Sequence, residues 1–105
     1  MEDMHALLQW IVPLLDKMPR NRRYTLATRI EEGFLFVLER LLEAAYSSNR
    51  QASLRAANLR LEVVRHLWRL CLELRAVSRS GWSHGAGQML ELGRQIGGWQ
   101  KASAQ

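Results

Sequence analysis

Three histidines, one cysteine and thirteen arginines are the residues through which this chain could act on another molecule. His5, His66 and His84 fall in different segments, and none stands at HxxxH, HExxH or Cys-His spacing. Metal ligands on one helix must recur every three or four residues to share a face, so these read as ordinary surface or turn histidines, and no metal or cofactor is expected. Cys71 sits within Leu70-Cys71-Leu72 on an apolar arc. That is the setting of a packed thiol, since a nucleophilic cysteine needs a base or cation beside it. Gly85-Ala86-Gly87 and Gly97-Gly98 follow no strand and precede no Gly-Lys-Ser/Thr, which removes phosphate-loop chemistry. An enzyme is not expected.

The arginines are better organised. Arg20, Arg22 and Arg23 cluster ahead of the second helical segment, and Arg55, Arg65 and Arg69 fall on the polar face of the third, beside Asn58, Glu62 and His66. Two readings of these six stand side by side. Several guanidinium groups presented together bind phosphate and displace its counterions, which makes the binding steeply salt-dependent. The alternative is a solvated helix face with internal ion pairs, Glu62 with Arg65 or His66 and Glu73 with Arg69, each worth roughly a few tenths of a kcal/mol. Arg60 differs, because its helical angle puts it inside an apolar arc. A buried guanidinium without a partner is very costly, so either a glutamate meets it, most simply across a subunit interface, or it lines a solvated groove or channel of an oligomer.

With 105 residues the chain has room for one domain, spanning 1–105. Hydrophobic residues make up 48% and charged residues 24%, enough apolar material for a core and too little charge for a disordered chain. The net charge of +5 points to an anionic partner. A single cysteine excludes an intrachain disulfide. Met1-Glu2-Asp3 is acidic where an export signal is basic, and no apolar run approaches the ~20 residues of a membrane span. A cytoplasmic location away from the membrane is expected.

The turn-forming residues gather at 19–23, 47–49 and 78–87, and between them apolar residues recur at three- and four-residue spacing. Four helices follow, near 3–17, 25–46, 51–77 and 87–101, with Pro13 kinking or shortening the first and Asn21 or Thr25 capping the second. Short connections make antiparallel neighbours, hence an all-α up-down-up-down four-helix bundle. The apolar arc of the third helix is roughly 220° wide, where one facing a monomeric core needs little more than 100°. The second helix repeats the excess and adds Phe36, which projects among Arg29, Glu32 and Arg40. The surplus predicts a homo-oligomer, with Phe36 and Arg60 at its interface. Gly93 and Gly97, one turn apart, predict a close helix approach anchored by Trp99. Trp10 and Trp68 are expected to pack within helices and Trp82 to lie in a loop.

Three stretches resemble the accessory variability determinants of diversity-generating retroelements. Met18-Pro19-Arg20-Asn21-Arg22-Arg23-Tyr24-Thr25-Leu26-Ala27-Thr28-Arg29-Ile30 is similar to the pattern in which a proline and basic residues precede R-[FY]-T-L-x-x-R-[LI]. Tyr46-Ser47-Ser48-Asn49 and the run from Leu54 to Leu70 resemble the second block, and Gly93-Arg94-Gln95-Ile96-Gly97-Gly98-Trp99-Gln100-Lys101 the closing G-R-x-[LI]-G-G-W-x-K. The chain departs from the pattern between Val77 and Gln88, where Gly81, Gly85 and Gly87 fall. The resemblance implies a bundle related to the proteins encoded in ribosomal-RNA intervening sequences, assembled as a barrel-shaped homopentamer with a basic surface. It also implies a reverse transcriptase and RNA as partners, with DNA a second candidate, in the error-prone copying of a template repeat. A scaffold or interaction module without nucleic-acid binding is the rival reading.

Overall fold

The computed structural model describes residues 2–104, and four helices account for nearly all of them. Helix α1 is Glu2–Asp16, α2 covers 20–46, α3 is Arg50–Glu73 and α4 is Arg79–Ser103. Side-chain pairs fix their directions. Asp3 meets Gln95 and Trp10 meets His84, which sets α1 against α4; Glu43 meets Ser53, which sets α2 against α3; Gln51 meets Gln100 and Trp68 meets Trp82, which sets α3 against α4. Each pairing is antiparallel, and the result is an up-down-up-down bundle of 44 × 22 × 20 Å. Its first and third connections share one end.

Helix α1 begins with Glu2 and Asp3, which the helix dipole favours, and buries Met4, Leu7, Ile11 and Leu15 at helical spacing. It runs on through Pro13, so the proline removes one hydrogen bond near the carboxyl end without ending the helix. The Arg23 guanidinium then donates to the Asp16 carbonyl at 2.9 Å, satisfying a group that the helix end leaves open.

Helix α2 starts earlier than expected, at Arg20. The Pro19 carbonyl accepts from the Arg22 and Arg23 amides at 2.8 and 3.1 Å, so neither Asn21 nor Thr25 acts as the cap. Arg23–Ala27 then forms a π-helical turn before regular α-helix resumes over Thr28–Tyr46. The wider turn leaves the Arg23 carbonyl accepting from both the amide and the hydroxyl of Thr28, the latter at 2.9 Å.

Helix α3 supplies the seam, burying Leu54, Ala57, Leu61, Val64, Trp68 and Cys71. A fully buried Leu or Val contributes roughly 1.5–3 kcal/mol by leaving water. Ser53 donates to Glu43 at 2.6 Å, and a Cβ on Gly33 would overlap Val64 Cγ2, so α2 and α3 approach closely. The helix stops at Glu73, short of the expected Val77. Arg75 adopts φ 58°, and the Ala76 amide turns back to the Cys71 carbonyl at 2.8 Å, a left-handed closure of the helix end.

The largest departure is α4, which starts at Arg79 and not near Gly87. Ser78 caps it by accepting the Gly81 amide at 3.0 Å, and Trp82 is therefore helical. Glycines that look like a loop serve a packing purpose here. Gly85 is buried against the Trp68 ring, whereas Gly93 makes ordinary contact with Leu61 and Gly97 faces open space, so the close approach lies two turns before the expected pair. Trp68 is itself buried, with its indole donating to the Trp82 carbonyl at 2.9 Å and its ring edge-on to Trp10.

Candidate nucleic-acid interface

The bundle gathers its positive charge at one end. Lys17, Arg20, Arg22 and Arg23 come from the first connection and the start of α2, and Arg75 and Arg79 from the connection between α3 and α4. These six cations share the end with Asp16 and Glu73, leaving it four of the five net positive charges of the chain. Arg20, Arg23, Arg75 and Arg79 are exposed and Arg22 is half-buried. Among the described residues no carboxylate lies within ion-pair distance of any of these five arginines. The π-helical turn falls inside this corner and holds Arg23 with its guanidinium on the end of α1. Single π turns are frequent at functional sites.

The six arginines singled out from the sequence occupy three places. Arg20, Arg22 and Arg23 form part of the basic end. Arg65 and Arg69 lie one turn apart on the flank of α3 that faces α4, each tied to a glutamate, Arg65 to Glu62 at 3.3 Å and Arg69 to Glu73 at 3.4 Å. His66 approaches Glu62 at 3.9 Å. Both pairs are substantially exposed, so they orient the guanidinium groups more than they stabilise the fold. Arg55 stands fourteen residues before Arg69, roughly 21 Å along the helix at 1.5 Å per residue, and so belongs to the opposite half of the bundle. Arg75 and Arg79 were missed. Topology is their signal, because an up-down-up-down chain brings its first and third connections to the same end.

Phe36 and Arg60 meet. The Arg60 guanidinium carbon lies 4.7 Å from the centre of the Phe36 ring, and that of Arg40 lies 5.0 Å from it. Arg60 is exposed rather than buried, so its partner within the chain is an aromatic face and not a glutamate. On α2 the leucines Leu35 and Leu42 remain exposed, as do Leu59, Val63 and Leu70 on α3 and Leu74 just past its end. The surplus apolar arc thus resolves into two stripes, with the Phe36, Arg40 and Arg60 ridge between them.

Cys71 is buried, and burial pushes its thiol up to about 11, as suits a packing residue. Among the described residues no three His, Cys, Asp or Glu side chains gather closely enough to hold a metal ion, and no helix is long and apolar enough to cross a membrane.

The model of the bAvd-like family matches residues 1–103, a span that takes in all four helices and both connections of the basic end. The chain belongs to the bAvd-like family. No curated protein and no solved structure matches it. Membership agrees with the resemblance to accessory variability determinants, and the four-helix bundle is the architecture that the resemblance implies. For this bAvd-like chain the family pattern of a proline and basic residues ahead of R-[FY]-T-L acquires a location: it is the turn from α1 into α2, at the centre of the basic end.

Proposed function

We propose that this bAvd-like chain is the accessory protein of a diversity-generating retroelement, which binds the element's reverse transcriptase and RNA and assembles as a homopentamer. Family membership supports the accessory role. The observation that carries the nucleic-acid part is the convergence of Arg20, Arg22, Arg23, Arg75 and Arg79 on one end of the bundle without carboxylate partners among the described residues. Guanidinium groups bind phosphate in paired hydrogen bonds without reading base identity, so this end suits a backbone contact, and repetition around a ring multiplies it. Phe36 and Arg60 are the proposed oligomer contacts, and Arg55, Arg65 and Arg69 a secondary basic surface.

A second reading, a scaffold without nucleic-acid binding, is favoured for α3 alone by the Glu62–Arg65 and Glu73–Arg69 pairs, which spend those cations internally. The test measures RNA affinity by fluorescence anisotropy for wild type, for Arg20, Arg22 and Arg23 replaced together by glutamine, and for Arg65 and Arg69 replaced together. The wild type should lose affinity by about 10³–10⁵ between low and moderate salt if several phosphates are contacted, and the first variant should lose most of its binding. Weak, salt-indifferent binding with neither variant altered leaves the scaffold reading. Co-purification with the element's reverse transcriptase tests the protein partner.

A further inference from the structure

Between α3 and α4 runs a cleft of about 240 Å³, too small for a drug-sized ligand and suited to one flat ring. Its apolar lining includes Trp68, Ala86 and Met89; Trp82 borders it, and Arg65 and Arg69 stand on its α3 side. The Trp82 indole nitrogen is buried and has no acceptor within the described residues. Trp82 is otherwise half-buried, and its ring borders the cleft. Glu62 and Glu73 hold the two guanidinium groups at the edge of the cleft.

The geometry points to this cleft as the seat of an unpaired nucleotide within single-stranded RNA or DNA, an inference that rests on the nucleic-acid reading above and deepens it. The base lies against the Trp82 ring and apolar surface, and Arg65 and Arg69 take the flanking phosphates. Aromatic surface beside arginine is the combination that holds single strands, since every base has a stacking face and every linkage a charge. A duplex keeps its bases stacked inside and offers this wall phosphates alone. The ion pairs weaken the contact without preventing it, because phosphate can share a guanidinium that a solvated carboxylate already orients. The cleft and the basic end are then distinct in kind: one grips phosphate on any nucleic acid, the other selects an unpaired base.

The experiment uses the whole chain and two probes, a labelled single-stranded RNA of about twelve nucleotides and the same RNA annealed to its complement, at one salt concentration. Ala86→Gln fills the cleft without changing charge, and Trp82→Leu removes the stacking surface while leaving the main-chain acceptor of Trp68 in place; circular dichroism checks that both remain helical. Each variant should bind the single strand about five- to a hundredfold more weakly and the duplex as wild type does. Ultraviolet cross-linking of the wild type should place the RNA on the peptide that contains Trp82. Equal loss on both probes, no loss in Ala86→Gln, or cross-links confined to the peptides around Arg22 and Arg75 overturns the cleft while sparing the basic end. An acidic peptide that binds wild type and not Ala86→Gln, with RNA unaffected, assigns the cleft to a protein partner and also overturns it. Wild type that binds neither probe at low salt removes the nucleic-acid reading and the cleft with it.

Discussion

Gly85 lies directly beneath the Trp68 ring, so close that a Cβ at residue 85 would stand 2.8 Å from the indole. Trp68 is fully buried and tied to the Trp82 carbonyl, and cannot easily move aside. Gly85→Ala should therefore destabilise the fold by about 1–3 kcal/mol through overpacking, partly offset by the better helix propensity of alanine. Gly87, two residues on in the same helix, has nothing within 4 Å of a built Cβ, and Gly87→Ala should stabilise by roughly 0.5–1 kcal/mol. Urea midpoints of the two variants check the pair, and shifts of the same sign would show that Trp68 does not set the approach of α4.

Arg75 closes α3 in a left-handed conformation that an L side chain adopts at a cost of about 1 kcal/mol. Arg75→Gly should raise stability by somewhat less than that, because glycine also loosens the unfolded chain. The same change removes one cation from the basic end, and if Arg75 contacts phosphate the slope of log affinity against log salt should shrink by about 1. Arg75→Lys separates the two effects, since it keeps both charge and strain. A variant that is more stable and binds RNA unchanged would take Arg75 out of the interface.

For Cys71, burial raises the thiol from 9.0 to about 11, so over that pH range the unfolded chain gives up a proton that the folded chain keeps. Its stabilising contribution is whole below pH 9 and should be lost as pH rises toward about 11. Cys71→Ala, although less stable by a cavity's worth, should lack this component of the alkaline decline. Denaturation midpoints at both ends of the window decide it. At mildly alkaline pH a thiol reagent should label the native chain far more slowly than the denatured one.

The four helices and the Leu54-to-Trp68 seam were legible because a strong helical period leaves few alternatives. Asn21, Gly81 and Gly85 have types that favour turns, yet each sits in a helix: the Pro19 carbonyl and the Ser78 cap start the helices that hold the first two, and Gly85 packs against the Trp68 ring. Arg75, with no such propensity, ends α3 in a conformation that glycine usually takes. Among the candidate site residues, spacing along one helix correctly joined Arg65 to Arg69, but it also joined Arg55, which the same helix carries roughly 21 Å away. It could not join Arg79 to Arg22, since that proximity belongs to the bundle and to no single segment.

The two exposed apolar stripes give the proposed ring a mechanism. Leu35 and Leu42 on α2, with half-buried Leu38 between them, stand near Glu31 and Glu39, whereas Leu59, Val63 and Leu70 on α3, with Leu74 just past its end, stand near cations and carboxylates alike, Arg55, Arg60, Glu62 and Glu73. The acidic flank of the α2 stripe opposes its meeting itself, and a ring of more than two subunits requires two different surfaces to meet. Replacing Leu35 and Leu42 with glutamate should therefore leave a monomer, as should replacing Leu59 and Val63, while each variant stays helical because these positions lie outside the core. Mixed together, the two variants still own one intact stripe apiece, and light scattering should then find a one-to-one heterodimer that neither forms alone. If instead the α2 variant alone remains a dimer, its α3 stripe is pairing with itself and the contact is two-fold, which is incompatible with a five-membered ring built on that stripe.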